Sequence, residues 1–293
     1  MSTNLAKAET GAQGEARRVV AVIRGVPTSD GAGVKLTRVI GQSALPDLDP
    51  FLMLDEFGSE KGADYIGGFP DHPHRGFETV TYMLDGRMRH GDNKGHSGLL
   101  VSGSVQWMTA GRGLVHSEMP EQEDGLMRGF QLWINLPAKH KMCEPRYQEY
   151  APEKIPVAQP ASGVSVKVIA GEVAQGTKAV KGPVGGVATD PTYLDISLEK
   201  GATFSHRLPK DYNAFAYVFE GNAMVGIKEV QTSHLAVLSQ GEVFTVTAED
   251  GPARLILVAG RPLREPVVKY GPFVMNTPEE IHQAVADYQA GRL

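Results

Sequence analysis

The decapeptide Phe77-Glu-Thr-Val-Thr-Tyr-Met-Leu-Asp-Gly86 recurs, loosely, as Tyr212-Asn-Ala-Phe-Ala-Tyr-Val-Phe-Glu-Gly221. Each copy is a run rich in aromatic and aliphatic residues, closed by an acidic residue and a glycine. That is the pattern of a buried strand ending in a turn. Further into each half, Ser102-Gly-Ser-Val-Gln-Trp-Met-Thr-Ala110 pairs with Ser239-Gln-Gly-Glu-Val-Phe-Thr-Val-Thr-Ala248, allowing one insertion. Other short runs, among them Arg18-Val-Val-Ala-Val-Ile23, Phe130-Gln-Leu-Trp-Ile134, Val164-Ser-Val-Lys-Val-Ile169 and Leu255-Ile-Leu-Val258, fill the intervals. With 34 glycines and 19 prolines between such runs, the chain reads as all-β, a barrel or sandwich present twice.

The copies flank Ala151-Pro-Glu-Lys-Ile-Pro-Val-Ala-Gln-Pro-Ala-Ser-Gly163, whose three prolines disfavour regular structure. The expected division is a first barrel over 17–150, a linker over 151–163 and a second barrel over 164–293. Residues 1–16, rich in Ala, Gly, Ser, Thr and Glu, are expected to be disordered. Near the end, Thr277-Pro-Glu-Glu280 reads as a capping box with proline at the first helical position. Ile281, Ala284, Val285 and Tyr288 would form the apolar face of one short helix, stopped by Gly291.

Composition narrows the function. A formal charge of −5, with Arg17-Arg18 the only adjacent basic pair, speaks against direct nucleic-acid binding as the main work. No apolar run approaches the ~18 residues of a membrane span, and no signal-peptide core is visible. A soluble, cytoplasmic monomer is the expectation, with a nuclear location also open in a eukaryote. The single cysteine, Cys143, reads as a small packed thiol; His140 nearby sits in a Lys-His-Lys stretch that reads as a solvated loop.

Chemistry concentrates in two clusters, Gly68-Phe-Pro-Asp-His72-Pro-His74-Arg-Gly-Phe-Glu78 and Gly111-Arg-Gly-Leu-Val-His116-Ser-Glu118. Both carry metal-capable side chains at i and i+2, which on a strand point to one face. Two such strands side by side would converge three imidazoles and a carboxylate, a set suited to Fe(II), with Mn, Ni, Cu and Zn as competitors. Pro73 lacks a backbone donor and so fits an edge strand. Glu78 shares the parity of His72 and His74. A straight strand would carry it roughly 13 Å from His74 at ~3.3 Å per residue. It is therefore expected to play a supporting or structural part, and Glu118 to be the ligand. His90 and His96 flank a loop expected to be a solvated turn; His206, His234 and His282 are expected at the surface. Trp107 and Trp133 read as barrel core, and Phe69, Met88 and Met119 as candidate pocket residues.

The chain resembles the pirin family of the cupin superfamily. The resemblance rests on Pro50-Phe-Leu-Met-Leu-Asp-Glu-Phe57, Gly67-Gly-Phe-Pro-Asp-His-Pro-His-Arg-Gly-Phe-Glu-Thr-Val80, Gln106-Trp-Met-Thr-Ala-Gly-Arg-Gly113, Gln131-Leu-Trp-Ile-Asn-Leu136 and Gly271-Pro-Phe-Val-Met-Asn-Thr277. It implies two stacked cupin, jelly-roll-like β-barrels. It also implies one iron per chain, held by His72, His74, His116 and Glu118. By the internal alignment, 72 and 74 fall near Arg207 and Pro209, and 116 and 118 near Arg254 and Ile256, so the second barrel would hold no metal. Relatives of this kind imply quercetin 2,3-dioxygenase activity, with a flavonol-like substrate, O2, and Glu118 as candidate catalytic base. The competing expectation is a non-catalytic, iron-dependent redox switch that binds a regulatory protein partner.

Overall fold

The computed structural model describes residues 14–293. Most of residues 1–16 therefore lies outside the described residues, but Ala16 bridges Val243 and the Glu15 carboxylate meets Lys210 at 2.9 Å. The first half supplies β1 (Val19–Arg24), β2 (Val26–Asp30), β3 (Val34–Ile40), β4 (Phe51–Ser59), β5 (Phe69–His74) and β6 (Phe77–Asp85). It continues with β7 (Arg87–Asp92), β8 (Ser97–Val101), β9 (Val105–Thr109), β10 (Leu114–Pro120), β11 (Met127–Asn135) and β12 (Arg146–Tyr150). The second half supplies β13 (Val157–Ala158), β14 (Val164–Ala170), β15 (Glu172–Gln175), β16 (Lys178–Lys181), β17 (Thr192–Leu198), β18 (Thr203–Arg207) and β19 (Asn213–Glu220). After these come β20 (Ala223–Val225), β21 (Lys228–Val230), β22 (His234–Leu238), β23 (Val243–Thr247), β24 (Ala253–Gly260), β25 (Val268–Tyr270), β26 (Phe273–Met275) and α1 (Pro278–Gln289).

These strands build two similar barrels. In the first, a four-stranded sheet β5-β10-β7-β8 covers the seven-stranded sheet β12-β9-β6-β11-β4-β3-β2. In the second, β18-β23-β20-β21 covers β1-β22-β19-β24-β17-β14-β13. The two seven-stranded sheets stack on each other. Val80, Trp107 and Leu132 from one and Tyr193, Phe215 and Ile256 from the other share one buried cluster. Alternation along each strand explains the layers: odd residues of β6 face its own barrel and even ones the neighbouring sheet.

The sheet orders confirm the pairing of Phe77–Gly86 with Tyr212–Gly221, since β6 and β19 hold the same central place. The second internal alignment is off by one strand. β9 corresponds to β22, and the counterparts of β5 and β10 are β18 and β23. Short apolar strands resemble one another closely enough to slip. The inward positions matching the histidine region therefore include Phe204, His206, Phe244 and Val246 rather than Arg207, Pro209, Arg254 and Ile256.

Two segments cross the expected boundaries. β1 pairs with β22, so residues 19–24 complete the second barrel's sheet rather than the first. In the reverse direction, Arg75 bridges Phe273, and its Nη1 meets Asp287 of α1 at 2.8 Å. The expected linker also carries structure, because β13 pairs with β14. The capping box forms as read, with Thr277 Oγ1 accepting from Glu280 N at 3.2 Å and Glu280 Oε2 accepting from Thr277 N at 3.0 Å. Ile281 and Ala284 form the buried face of α1, whereas Tyr288 keeps 41% of its surface exposed.

Candidate metal centre

β5 is an edge strand, which accommodates Pro73, and it pairs antiparallel with β10. His72 stands opposite His116 and His74 opposite Leu114. The ring centroids of His72 and His116 lie 4.4 Å apart, those of His72 and His74 4.7 Å, and those of His74 and His116 4.9 Å. One ligand-capable atom from each ring falls within 4.8 Å of the others, the one such group of three among the described residues.

The register slips by one residue between His116 and Glu118, which brings Glu118 opposite Phe69. Glu118 is buried and points into the same barrel. Thr81 donates its hydroxyl to Glu118 Oε1 at 2.9 Å, and Gln131 Nε2 donates to Oε2 at 3.0 Å. Thr81 and Gln131 come from β6 and β11 of the opposite sheet, and nothing in their own sequence neighbourhoods marked them as partners of Glu118. The structure thus brings Glu118 to the barrel interior that holds the three imidazoles.

The electrostatics suit a cation. Burial, followed by the neighbouring His116 and His72, pulls the His74 imidazole well below its usual value. Burial takes His116 down to about 4, with the Glu118 carboxylate pulling the other way. Both rings are therefore neutral at pH 7 and keep a lone pair for a metal. His72 Nδ1 lies 2.8 Å from the Pro70 carbonyl, which fixes that nitrogen as the donor and leaves Nε2 as the acceptor. His72 Nε2 in turn lies 3.0 Å from His74 Nε2, and both nitrogens of His116 are buried with no hydrogen-bond partner. Buried polar atoms left unpaired are costly. A divalent ion on the three imidazoles would satisfy them, and the residues present fit one.

Glu78 lies elsewhere. The chain turns between β5 and β6, with Gly76 at φ 90°, so the parity shared with His72 and His74 is lost. Glu78 points between the stacked sheets, accepting from Thr109 Oγ1 at 2.7 Å. It has a structural role outside the histidine cluster.

Other expectations need correction. His90 is buried, not solvated: its Nε2 lies 2.7 Å from Glu149 Oε2 and its ring stacks on Tyr147. His96 is exposed as expected. His206 is half-buried and stacks on Phe204. Lys141 is buried to 1% exposure, because its Nζ donates to Gly76 O, Asn135 Oδ1 and Val274 O. Met88 belongs to the core and Met119 is partly exposed, whereas Phe69 does wall the pocket. Trp107 is core; Trp133 borders the pocket and packs edge-on to His74 at 5.2 Å.

His72 and His74 open onto a cavity of about 460 Å³. Leu36, Met53, Phe57, Phe69 and Trp133 give it an apolar wall, Glu118 and Gln131 a polar floor, and Asp30, Arg38 and Asp55 a charged end. A larger open groove on the second barrel, near Gly163 and Arg254, contains no histidine.

Comparison with known proteins agrees with this construction. The family model described as Pirin matches residues 33–134, and that of the Pirin C-terminal cupin domain matches residues 193–293. A pirin-like protein of Caulobacter vibrioides is 52% identical over 276 residues, covering 94% of this chain and 99% of its own. This chain belongs to the pirin family. Human pirin is 44% identical over 283 residues, covering 94% of this chain and 93% of its own. Among solved structures, quercetin 2,3-dioxygenase from Acinetobacter baumannii superposes with a TM-score of 0.85 at 32% identity, covering 94% of this pirin and 98% of that chain. The two barrels are thus the cupin pair of the family, and no described helix is long and apolar enough to cross a membrane.

Proposed function

We propose that the chain is a metal-dependent dioxygenase that opens the heterocycle of a flavonol such as quercetin with O2, releasing carbon monoxide. The observation that carries this reading is the pocket itself. Three clustered imidazoles, two of them bordering the space, and a buried carboxylate sit beside a cavity whose walls are largely apolar and aromatic. Likeness to a solved quercetin 2,3-dioxygenase supports it.

In this reading His72, His74 and His116, with Glu118, hold one divalent ion, iron foremost and Mn, Ni, Cu or Zn in competition. The ion would supply Lewis acidity toward the flavonol hydroxyl and redox capacity toward O2. The chain's own residues do the rest. Trp133, Met53 and Phe57 exclude water and bind the flat rings. Glu118 accepts the proton of the flavonol 3-hydroxyl, and Thr81 and Gln131 hold that carboxylate in position. The second barrel is read as a support without a metal of its own.

Metal analysis coupled to O2 uptake with quercetin, after anaerobic loading with Fe(II), tests the proposal. One iron per chain and O2 consumption matched by carbon monoxide are expected. Uptake no greater than that of the metal-free protein would overturn the reading.

A further inference from the structure

The seven-stranded sheet of the first barrel carries a row of polar side chains across consecutive strands. Cross-strand pairing sets Glu149 opposite Gln106, Gln106 opposite Thr81, Thr81 opposite Gln131, Gln131 opposite Asp55, and Asp55 opposite Arg38. In a packed barrel, one polar row on an otherwise apolar face is unusual enough to need a partner. The middle of the row serves Glu118 through Thr81 and Gln131. Its far end, Asp55 and Arg38, lies in the same cavity but does not touch the histidines.

The rows on either side are apolar apart from Thr79, which stands opposite Trp133. Trp133 faces Met53 on one side, and Phe57 faces Leu36 on the other. Gln131 and Arg38 are two strands apart, about 10 Å at ~4.8 Å per strand. The cavity is thus a polar track between two greasy rails, with the histidines at one end and a charged cluster at the other.

That cluster has a definite hydrogen-bonding capacity. Arg38 Nε and Nη2 grip the Asp55 carboxylate at 2.9 and 2.7 Å, and Nη2 also reaches Asp30 Oδ2 at 2.8 Å. Nη1 makes no hydrogen bond to any described residue, so two N–H donors remain for a ligand. Asp30, half exposed at the rim, keeps acceptor capacity beside them. One cation and two carboxylates leave the cluster net negative, which disfavours a ligand carboxylate. A pair of neighbouring hydroxyls fits, one oxygen accepting from Arg38 and one O–H donating to Asp30.

We propose that this row is a recognition track, and that Arg38 with Asp30 selects an aromatic ring bearing adjacent hydroxyls at the end remote from the histidines. The proposal deepens the dioxygenase reading and rests on it for the orientation of the ligand.

Anaerobic calorimetric titration of the Fe(II)-loaded protein tests it without turnover. Quercetin, which carries the dihydroxyphenyl ring, is compared with galangin, the same flavonol without those two hydroxyls. Wild type should prefer quercetin by about tenfold or more, as expected for one or two net hydrogen bonds. Arg38→Met and Asp30→Ala should each reduce that preference while leaving galangin binding within about twofold. Should Arg38→Met fail to fold for want of a partner to Asp55, the rim variant Asp30→Ala carries the test. Equal wild-type affinity for the two flavonols, or an undiminished preference in the folded variants, would overturn the track. 4-Methylcatechol and 4-methylphenol separate this idea from the activity. If neither flavonol binds but the catechol binds in an Arg38-dependent way, the track stands and the flavonol reading falls. If nothing binds, both fall.

Discussion

Thr81 and Glu118 join the two sheets of the first barrel through a single hydrogen bond of 2.9 Å from a buried hydroxyl to a buried carboxylate. The bond reaches from the middle of β6 to β10, and so ties the aim of Glu118 to the seven-stranded sheet. Thr81→Val preserves shape and removes the donor. It should lower kcat on quercetin by about tenfold, the scale of one hydrogen bond to a charged group, while metal content stays near one. Thr81→Ser should restore most of the rate. Equal rates in the valine and serine variants would show that the bond does not position the carboxylate.

Glu118→Gln keeps size and an oxygen donor but removes most of the basicity. The variant should retain much of its metal and lose turnover by ~10²–10⁴-fold. A protein acting only as an iron-dependent switch would instead give no wild-type O2 uptake to lose. Its protease sensitivity would then differ between the Fe(II) and Fe(III) forms.

His74→Ala should drop iron well below one per chain, because it removes a buried ligand from the cluster of three. His206→Ala, at the corresponding region of the second barrel, should leave iron unchanged. The two variants measured side by side by elemental analysis decide whether a single site exists.

The three histidines were legible because each pair is local: two residues on one strand need only the strand's own geometry to share a face. Glu118 shares the face of His116 on β10 for the same reason, although the group whose ligand-capable atoms lie within 4.8 Å of one another contains only the three histidines. Glu78 was placed outside the ligand set on distance, and the physical reason proves to be different, a turn at Gly76 that sends it to the opposite face of the sheet. Thr81, Gln131 and Arg38 were not legible. Their roles depend on cross-strand register, which a single sequence specifies only through the whole barrel. Lys141 was misread for a related cause. The carbonyls that receive its ammonium come from Gly76 and Val274, segments far apart in the chain.

Burial draws the Lys141 ammonium down from 10.5 to about 8. Between those values the unfolded chain binds more protons than the folded one, so stability should rise with pH across that interval. Below about pH 8 the cost of burying the charge is constant. In urea titrations, the stability of wild type relative to Lys141→Met should therefore increase from pH 7.5 to 10. A difference that stays level would mean that the lysine does not titrate there.

The strand exchange between the halves has a mechanical consequence. β1 leaves the first half to finish the second barrel's sheet, and the segment carrying Phe273 and Asp287 returns to clasp Arg75, the residue next to His74. The second barrel is thus completed by a strand of the first half, and the first is held at Arg75 by the second, like two hands each holding the opposite wrist. Neither can open without releasing its partner, and the stacked sheets between them have no free face to expose first. Heat should therefore melt the chain in one transition, with calorimetric and van't Hoff enthalpies in agreement. Gene halves divided at the interbarrel segment would leave the second barrel's sheet without β1 and Arg75 of the first without its clasp, so neither half should fold as an independent domain.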